Sequence, residues 1–357
     1  MKQSDSQIIS GQRTEEGRIY ELARENLAER YEEDKEFRSK VNQGVLRIKG
    51  VLPGQVHTNQ IMASMSKQYK NDAFIGERLM PVVKVSKRSD NYATYDKRER
   101  HAFPEDAIAH MGEANELSES RGTENYSVKD YSLQYSVGKD TLDNQDSALD
   151  EMLDLVEAVE EGLSFKRELR LATILQASAN YAGNTSVPSP LWDTATADQI
   201  SANVKTARAA IWNGRGATKI IGFCGREVFD KLSVTMRSLF QYTKDGFASA
   251  QQLAQYFELD ELLVGDCRRD TANDGQAAGS YSRIWGKNFG IVRVAQRPTL
   301  RSASFGNTFR MKSDPQTQQW FDPRRGVGGA YTHKSGVSED HKVIAGDTGY
   351  LLATVMA

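Results

Sequence analysis

The chain has 357 residues, 46 basic and 48 acidic side chains, a formal net charge of −2 and 39% hydrophobic residues. That length can bury one large core or two moderate ones. The balanced charge argues against a dedicated nucleic-acid binder, which carries a clustered basic excess. No run approaches the roughly 18 apolar residues of a membrane-crossing helix.

The opening Met1–Asp5 has no charged-then-apolar leader pattern, so a cytosolic site of synthesis is expected. From Thr14 to Lys40 the apolar residues Ile19, Leu22, Ala23, Leu27 and Tyr31 recur at roughly helical spacing, which predicts a helix with a thin stripe. Gly44, Gly50, Pro53 and Gly54 then break the chain. Residues 1–55 therefore read as an arm or appended helix. An apolar stretch, Phe74 to Val85, ends in alternation at Val83 and Val85 and predicts a strand.

Residues 86–137 are unusual. Two strand-like flanks, with Tyr92 and Tyr95 in the first and Tyr131 and Tyr135 in the second, bracket a long polar interior. A loop of this length is uncommon without a function, and a two-stranded excursion has no core of its own. The expectation is a long hairpin stabilised by lying on something else. Its charge is split. Lys87, Arg88, Lys97, Arg98 and Arg100 crowd the first limb, and Glu113, Glu116 and Glu119 the second. These eight residues are the candidate subunit contacts.

The clearest helix is 146–181, with a cap at Asp146 or Ser147 and a face of Leu149, Met152, Leu153, Val156, Val159 and Leu163. Gly162 is expected to bend it. Beyond a loop at 183–195 comes an α/β section. Helices are expected at 197–212, 226–239 and 248–257, and strands at 219–223, 261–265, 282–285 and 291–295. Residues 312–336 read as polar and glycine-rich. A closing strand pair, 341–345 and 350–355, is joined by a hairpin turn at Gly346–Gly349.

Chemistry is sparse. The two cysteines, Cys224 and Cys267, form no CxxC pair, and the five histidines (His57, His101, His110, His333 and His341) match no metal-ligand spacing. Neither a nucleophile elbow nor a phosphate loop occurs. Asp270–Gly275 resembles the start of a calcium loop, but Tyr281 stands where the twelfth-position glutamate belongs. Asp347-Thr348-Gly349 is a single triplet, whereas an aspartic dyad needs two. The expectation is a non-enzyme without cofactor or metal.

The order of features resembles the Hong Kong 97-type capsid fold, shared by tailed-bacteriophage major capsid proteins and encapsulins. Three segments carry the resemblance: Phe74 to Tyr92, Arg283-Ile284-Trp285-Gly286-Lys287, and Asp340 to Tyr350. It implies an α+β fold with an N-terminal arm and an extended β-hairpin loop at 86–137. A peripheral domain would comprise 56–85, 138–189 and 336–357, including the long spine helix. An α/β axial domain would hold 190–335. The implied function is self-assembly into pentamers and hexamers of an icosahedral head enclosing double-stranded DNA, with an encapsulin-like nanocompartment shell as the alternative. The implied partners are further copies of the chain, a scaffolding protein, a portal, a decoration protein and DNA held non-specifically, with no membrane. The implied location is the virion, after assembly in the host cytoplasm. No catalytic residue carries over.

Overall fold

The computed structural model describes residues 20–22, 46–48, 74–94, 106–108, 112–114, 122–143, 148–211, 218–239, 248–271, 280–300, 302 and 304–357. The chain forms two compact units, one of residues 1–69 with 149–157, the other of 70–148 with 158–357. In the first unit β1 (Tyr20–Leu22) pairs in parallel with β2 (Leu46–Ile48). Tyr20–Leu22 falls inside the expected helix 14–40, which is therefore corrected there. The thin apolar stripe offers a helix little to bury, and the pairing with β2 prevails.

The second unit opens with a helical turn α1 (Gly76–Leu79), β3 (Val82–Val85) and β4 (Ser89–Thr94), and resumes with β5 (Gly122–Ser127), β6 (Lys129–Gly138) and α2 (Lys139–Asp143). Helix α3 (Ala148–Leu175), whose residues 149–157 belong to the first unit, follows, and β7 (Thr185–Ser186), α4 (Ala197–Ala210), β8 (Thr218–Gly225), α5 (Arg226–Thr235), α6 (Ala250–Tyr256) and β9 (Glu261–Gly265) continue the chain. Then come β10 (Arg268–Asp270), β11 (Tyr281–Arg283), β12 (Phe289–Ala295), β13 (Gly306–Met311), β14 (Gln316–Asp322), β15 (Ala330–Val343) and β16 (Gly349–Leu352).

Two five-stranded sheets organise this unit. The first has the order β7-β16-β12-β8-β9. Its central strand, Phe289–Ala295, is buried at all but one position, as expected of a strand covered on both faces. One face packs Phe289, Ile291 and Cys224 against Ile200 and Val204 of α4, Val228 and Leu232 of α5, and Leu253 of α6. The other packs Ile221, Phe223, Val292 and Val294 against Leu79 of α1 and Leu171, Ala172 and Leu175 of α3. Helices α4 and α6 each begin with a reciprocal capping box, Thr196 with Gln199 and Ser249 with Gln252.

The second sheet runs β14-β15-β13-β3, with β6 also paired to β15. Glu339 is opposite Lys129 of β6 and also opposite Arg310 of β13, so β6 lies along one edge of β15 and β13 along the other. The stretch 312–336, read from sequence as glycine-rich and irregular, supplies β14 and half of β15. Their alternation is polar with polar and carries little periodic signal.

Helix α3 has 28 residues, a length of about 42 Å. It stops six residues before the expected end. Asn180 Nδ2 donates to the Ile174 carbonyl at 2.8 Å and the Tyr181 hydroxyl to the Leu175 carbonyl at 2.5 Å, which satisfies acceptors the helix leaves open. The expected cap at Asp146 or Ser147 lies outside the described residues. Gly162 serves close packing, because a Cβ there would stand 2.9 Å from Leu133 Cδ1 of β6.

The closing strands do not pair with each other. β15 belongs to the second sheet and β16 to the first. Gly346–Thr348 is a single 3-10 turn that carries the chain between sheets, which corrects the expected hairpin. A hairpin reading follows from sequence proximity alone, whereas Leu351 and Leu352 find more apolar cover beside β12.

Candidate assembly surface

The long loop begins from an anchored ribbon. β4 and β5 pair antiparallel, with Ser89 opposite Ser127 and Thr94 opposite Gly122. The partner of the first limb is therefore 122–127. The second tyrosine-bearing limb, 129–138, leaves the ribbon and joins β15 instead. Tyr131 and Tyr135 thus pair with Val337 and His333, and Tyr95 lies outside the described residues. Val128 N donates to the Arg88 carbonyl at 2.8 Å where the two limbs separate.

A small core holds the ribbon base to the second sheet. Tyr92 and Tyr126, both buried, flank Phe309 at ring distances of 5.3 and 4.8 Å, with Val83, Val85, Val128 and Ile344 around them. The Tyr92 hydroxyl donates to Glu124 across the ribbon at 2.7 Å, and burial together with that carboxylate raises the phenol's pKa. A cleft of about 480 Å³ beside the ribbon is lined by Tyr92, Glu124, Ile174, Asn180 and His341.

The expected contact residues divide. Lys87 pairs with Asp90 at 3.0 Å and Arg88 pairs with Asp130, all four side chains being well exposed. Both cations are thus engaged within their own chain. Glu113 is exposed. Lys97, Arg98, Arg100, Glu116 and Glu119 lie outside the described residues.

Two buried carboxylates that the sequence reading did not single out tie α3 to its surroundings. Glu339 on β15 is fully buried. Arg167 Nε donates to both its oxygens at 3.0 Å, Arg170 donates at 2.7 Å, and Arg310 donates through Nε and Nη2 at 3.3 and 3.2 Å. Burial alone would raise this carboxyl's pKa, but Arg167 leads the surrounding cations in holding it down to about 2. The half-exposed Glu77 offers a second anion to Arg167 and Arg310 at 3.6 and 3.4 Å. Arg170 also stacks 3.7 Å over the Tyr131 ring. His341, two residues along the same face of β15, is brought down to about 4 by burial, so it is neutral near pH 7.

Glu168 on α3 accepts from the backbone N–H of Ile75 and Gly76 at 2.9 Å each and from Trp285 Nε1 at 2.8 Å. Burial raises its pKa in spite of those three donors. The signal for Glu168 was periodic, whereas Glu339 stands among polar neighbours that mask its alternation. Glu168 shares a helix face with Leu171 and Leu175, and Glu339 alternates with Ser335, Val337 and His341 on the inward face of β15.

Helix α3 is thus fastened to α1 and Trp285 by one acid and to the second sheet by the other. Beyond that seam, the β14–β15 hairpin projects Trp320 and Phe321, 39% and 42% exposed, and a fully exposed Val327 at its tip. No cluster of three or more potential metal-ligating side chains occurs among the described residues.

No family model matches the sequence. Two curated proteins do. One, from Burkholderia phage BcepMu, is 23% identical over 266 residues, 71% of this chain and 84% of its own length, and is named a major capsid protein. The other, from Pseudomonas phage JBD67, is 23% identical over 311 residues, 83% and 96% of the two lengths, and bears the same name. The chain is a relative of phage major capsid proteins. Its fold agrees with that kinship. A phage-related protein from Bordetella bronchiseptica RB50 superposes with a TM-score of 0.64 at 19% identity, covering 83% of this chain and 96% of its own. A virus-like particle from Pyrococcus furiosus gives 0.50 at 11% identity, covering 84% and 100%. The capsid-like α+β architecture expected from the sequence is therefore present in this mixed helix-and-sheet chain.

Proposed function

We propose that this chain is the major shell subunit of a tailed-phage head, built on the Hong Kong 97-type plan and tiling as pentamers and hexamers around double-stranded DNA. The observation that carries the reading is the match to two phage major capsid proteins over most of both lengths. The physics is consistent with it. A tiling subunit needs several distinct faces that do not close on themselves, and a ribbon without a core of its own gains cover only from a neighbour.

In this reading α3 is the spine. The second sheet with the ribbon forms the peripheral domain, and the first sheet with α4, α5 and α6 the axial domain. The earlier division at 190–335 then needs β13, β14 and the start of β15 moved to the peripheral side and β7 and β16 to the axial side, following their pairing. Residues 1–55 serve as the arm. Residues 86–137, with Lys87, Arg88, Lys97, Arg98, Arg100, Glu113, Glu116 and Glu119, meet the neighbouring copy. A scaffolding protein, a portal and a decoration protein complete the assembly, which takes place in the host cytoplasm. DNA is held loosely by a nearly neutral chain.

The likeness to the virus-like particle supports a second reading, a nanocompartment shell around protein cargo. Negative-stain electron microscopy of the purified chain tests the first. Closed shells or capsomer rings are expected, and small discrete particles at every concentration would overturn it. Nucleic acid inside shells recovered from the natural host selects the phage reading, and a protein cargo selects the other.

A further inference from the structure

We infer that copies of this chain join through β6, edge to edge and antiparallel, about a twofold axis centred on Leu133. The inference deepens the shell reading and rests on it for the identity of the partner, a second copy. Among the described residues β6 pairs only with β15, in a ladder that runs from Lys129 to Gly138 without a bulge. Its outer edge therefore presents alternate backbone N–H and C=O groups with no strand beside them. Ser132, Leu133, Gln134 and Tyr135 are all exposed, so this stretch of the edge is open to solvent. Edge strands that must stay single are blunted by lysine, proline or a bulge. Lys129 stands only at the start, and Asp130–Gly138 contains neither lysine nor proline.

The strand is also complementary to itself. Tyr131, Leu133, Tyr135 and Val137 share the face toward α3, where Arg170 covers the Tyr131 ring and Gly162 lies over Leu133. Even so, Leu133 and Tyr135 stay 39% and 52% exposed, so α3 leaves part of an apolar row uncovered. Antiparallel pairing centred on Leu133 sets that leucine against its own copy and Tyr131 opposite Tyr135 twice, which closes the two rows into one stripe. Ser132 falls opposite Gln134, Asp130 opposite Ser136 and Lys129 opposite Val137. No like charges meet. Asp130 keeps its pair with Arg88, and Ser136 its bonds with Thr332 and Arg325. Centring the pair one residue further on, at Gln134, would bring Lys129 against Lys139 of the other copy at both ends, so charge selects the register. The paired span 129–137 buries far less than a free-standing dimer needs. The contact therefore acts within an assembly, where other faces hold the copies together.

Disulfide trapping decides it. Across an antiparallel pair the Cα atoms are about 4.5–5.5 Å apart, within disulfide reach. The native thiols Cys224 and Cys267 are both buried, and burial pushes their pKa up to about 12 and about 11, so they form little background. Full-length Ser132→Cys and Gln134→Cys, both at exposed positions, are assembled separately and as an equal mixture, then mildly oxidised. The mixture is expected to give a disulfide dimer at least roughly tenfold faster than either variant alone, because 132 of one copy faces 134 of the other. Equally fast trapping by Gln134→Cys alone would overturn the register. The double variant Ser132→Lys/Gln134→Lys sets lysine against lysine twice across the axis and is expected to weaken association roughly tenfold at an unchanged melting temperature. Microscopy of the same samples separates the two claims. Shells without preferential trapping in the mixture would overturn the pairing and leave the shell reading standing. Trapped dimers without shells would do the reverse, and neither shells nor trapping would remove both.

Discussion

Replacing Glu339 by glutamine keeps the shape of the side chain and removes the charge that three arginines converge on. The arginine side chains are 14%, 26% and 11% exposed, so water cannot replace the lost anion fully. Breaking a buried pair by removing one partner costs about 3–5 kcal/mol, because the remaining charge stays desolvated. Glu77 still reaches two of the arginines, although it is half exposed and more distant. That places the expected loss near the lower end, about 3 kcal/mol. Asp90→Asn is the matched control. It breaks only the exposed pair with Lys87, and about 0.5 kcal/mol or less is expected. Urea unfolding of the unassembled subunit, followed by tryptophan fluorescence, gives both values from midpoint shifts at a common slope. A loss under about 1 kcal/mol for Glu339→Gln, with the Asp90 variant equal to it, would refute the claim that this acid fastens α3 to the sheet.

Three further outcomes are expected. Glu168→Ala leaves the N–H groups of Ile75, Gly76 and Trp285 without an acceptor, so a loss of about 2–4 kcal/mol and a red-shifted emission should appear together. Stability should fall in two acid steps. The folded His341 pKa of about 4 lies below its ordinary 6.5, so its contribution is complete above pH 6.5 and is lost as pH falls toward 4. The folded Glu339 value of about 2 lies below 4.5, so its step follows between pH 4.5 and 2. His341→Asn should flatten the first step in a pH series of melting temperatures and leave the second in place. Replacing 95–121 by an Asn-Gly turn keeps the Thr94–Gly122 register of the ribbon. The product should melt like the parent and fail to close shells, and normal shells by microscopy would show that the long loop is dispensable.

Much of the first sheet was legible because its strands are apolar runs bounded by glycine and capping residues. Glu261–Gly265 was read at its actual bounds, and Ala197–Ala210 within two residues. The second sheet was not legible. β15 buries Thr332, His333, Ser335 and Glu339, residues that ordinarily mark surface, and β14 buries none of its seven, so neither strand carried a hydrophobic signal. The ribbon was half legible. The tyrosines pointed to two strands, but nothing local says that Tyr126 packs on Phe309 while Tyr131 meets Arg170. Pairing partners more than 180 residues apart are chosen by the whole fold, and β15 competes successfully for the second limb.

The turn at Gly346–Thr348 has a consequence for synthesis. β16 lies between β7 and β12 in the first sheet, yet it follows every other strand of that sheet in chain order. Until Leu352 has left the ribosome, β7 lacks its one partner among the described strands and one edge of β12 stays open. A chain cut short before that point retains an unfinished sheet and exposes the apolar faces that β16 covers. The order of elements thus acts as a length check, since a prematurely terminated chain lacks a finished first sheet.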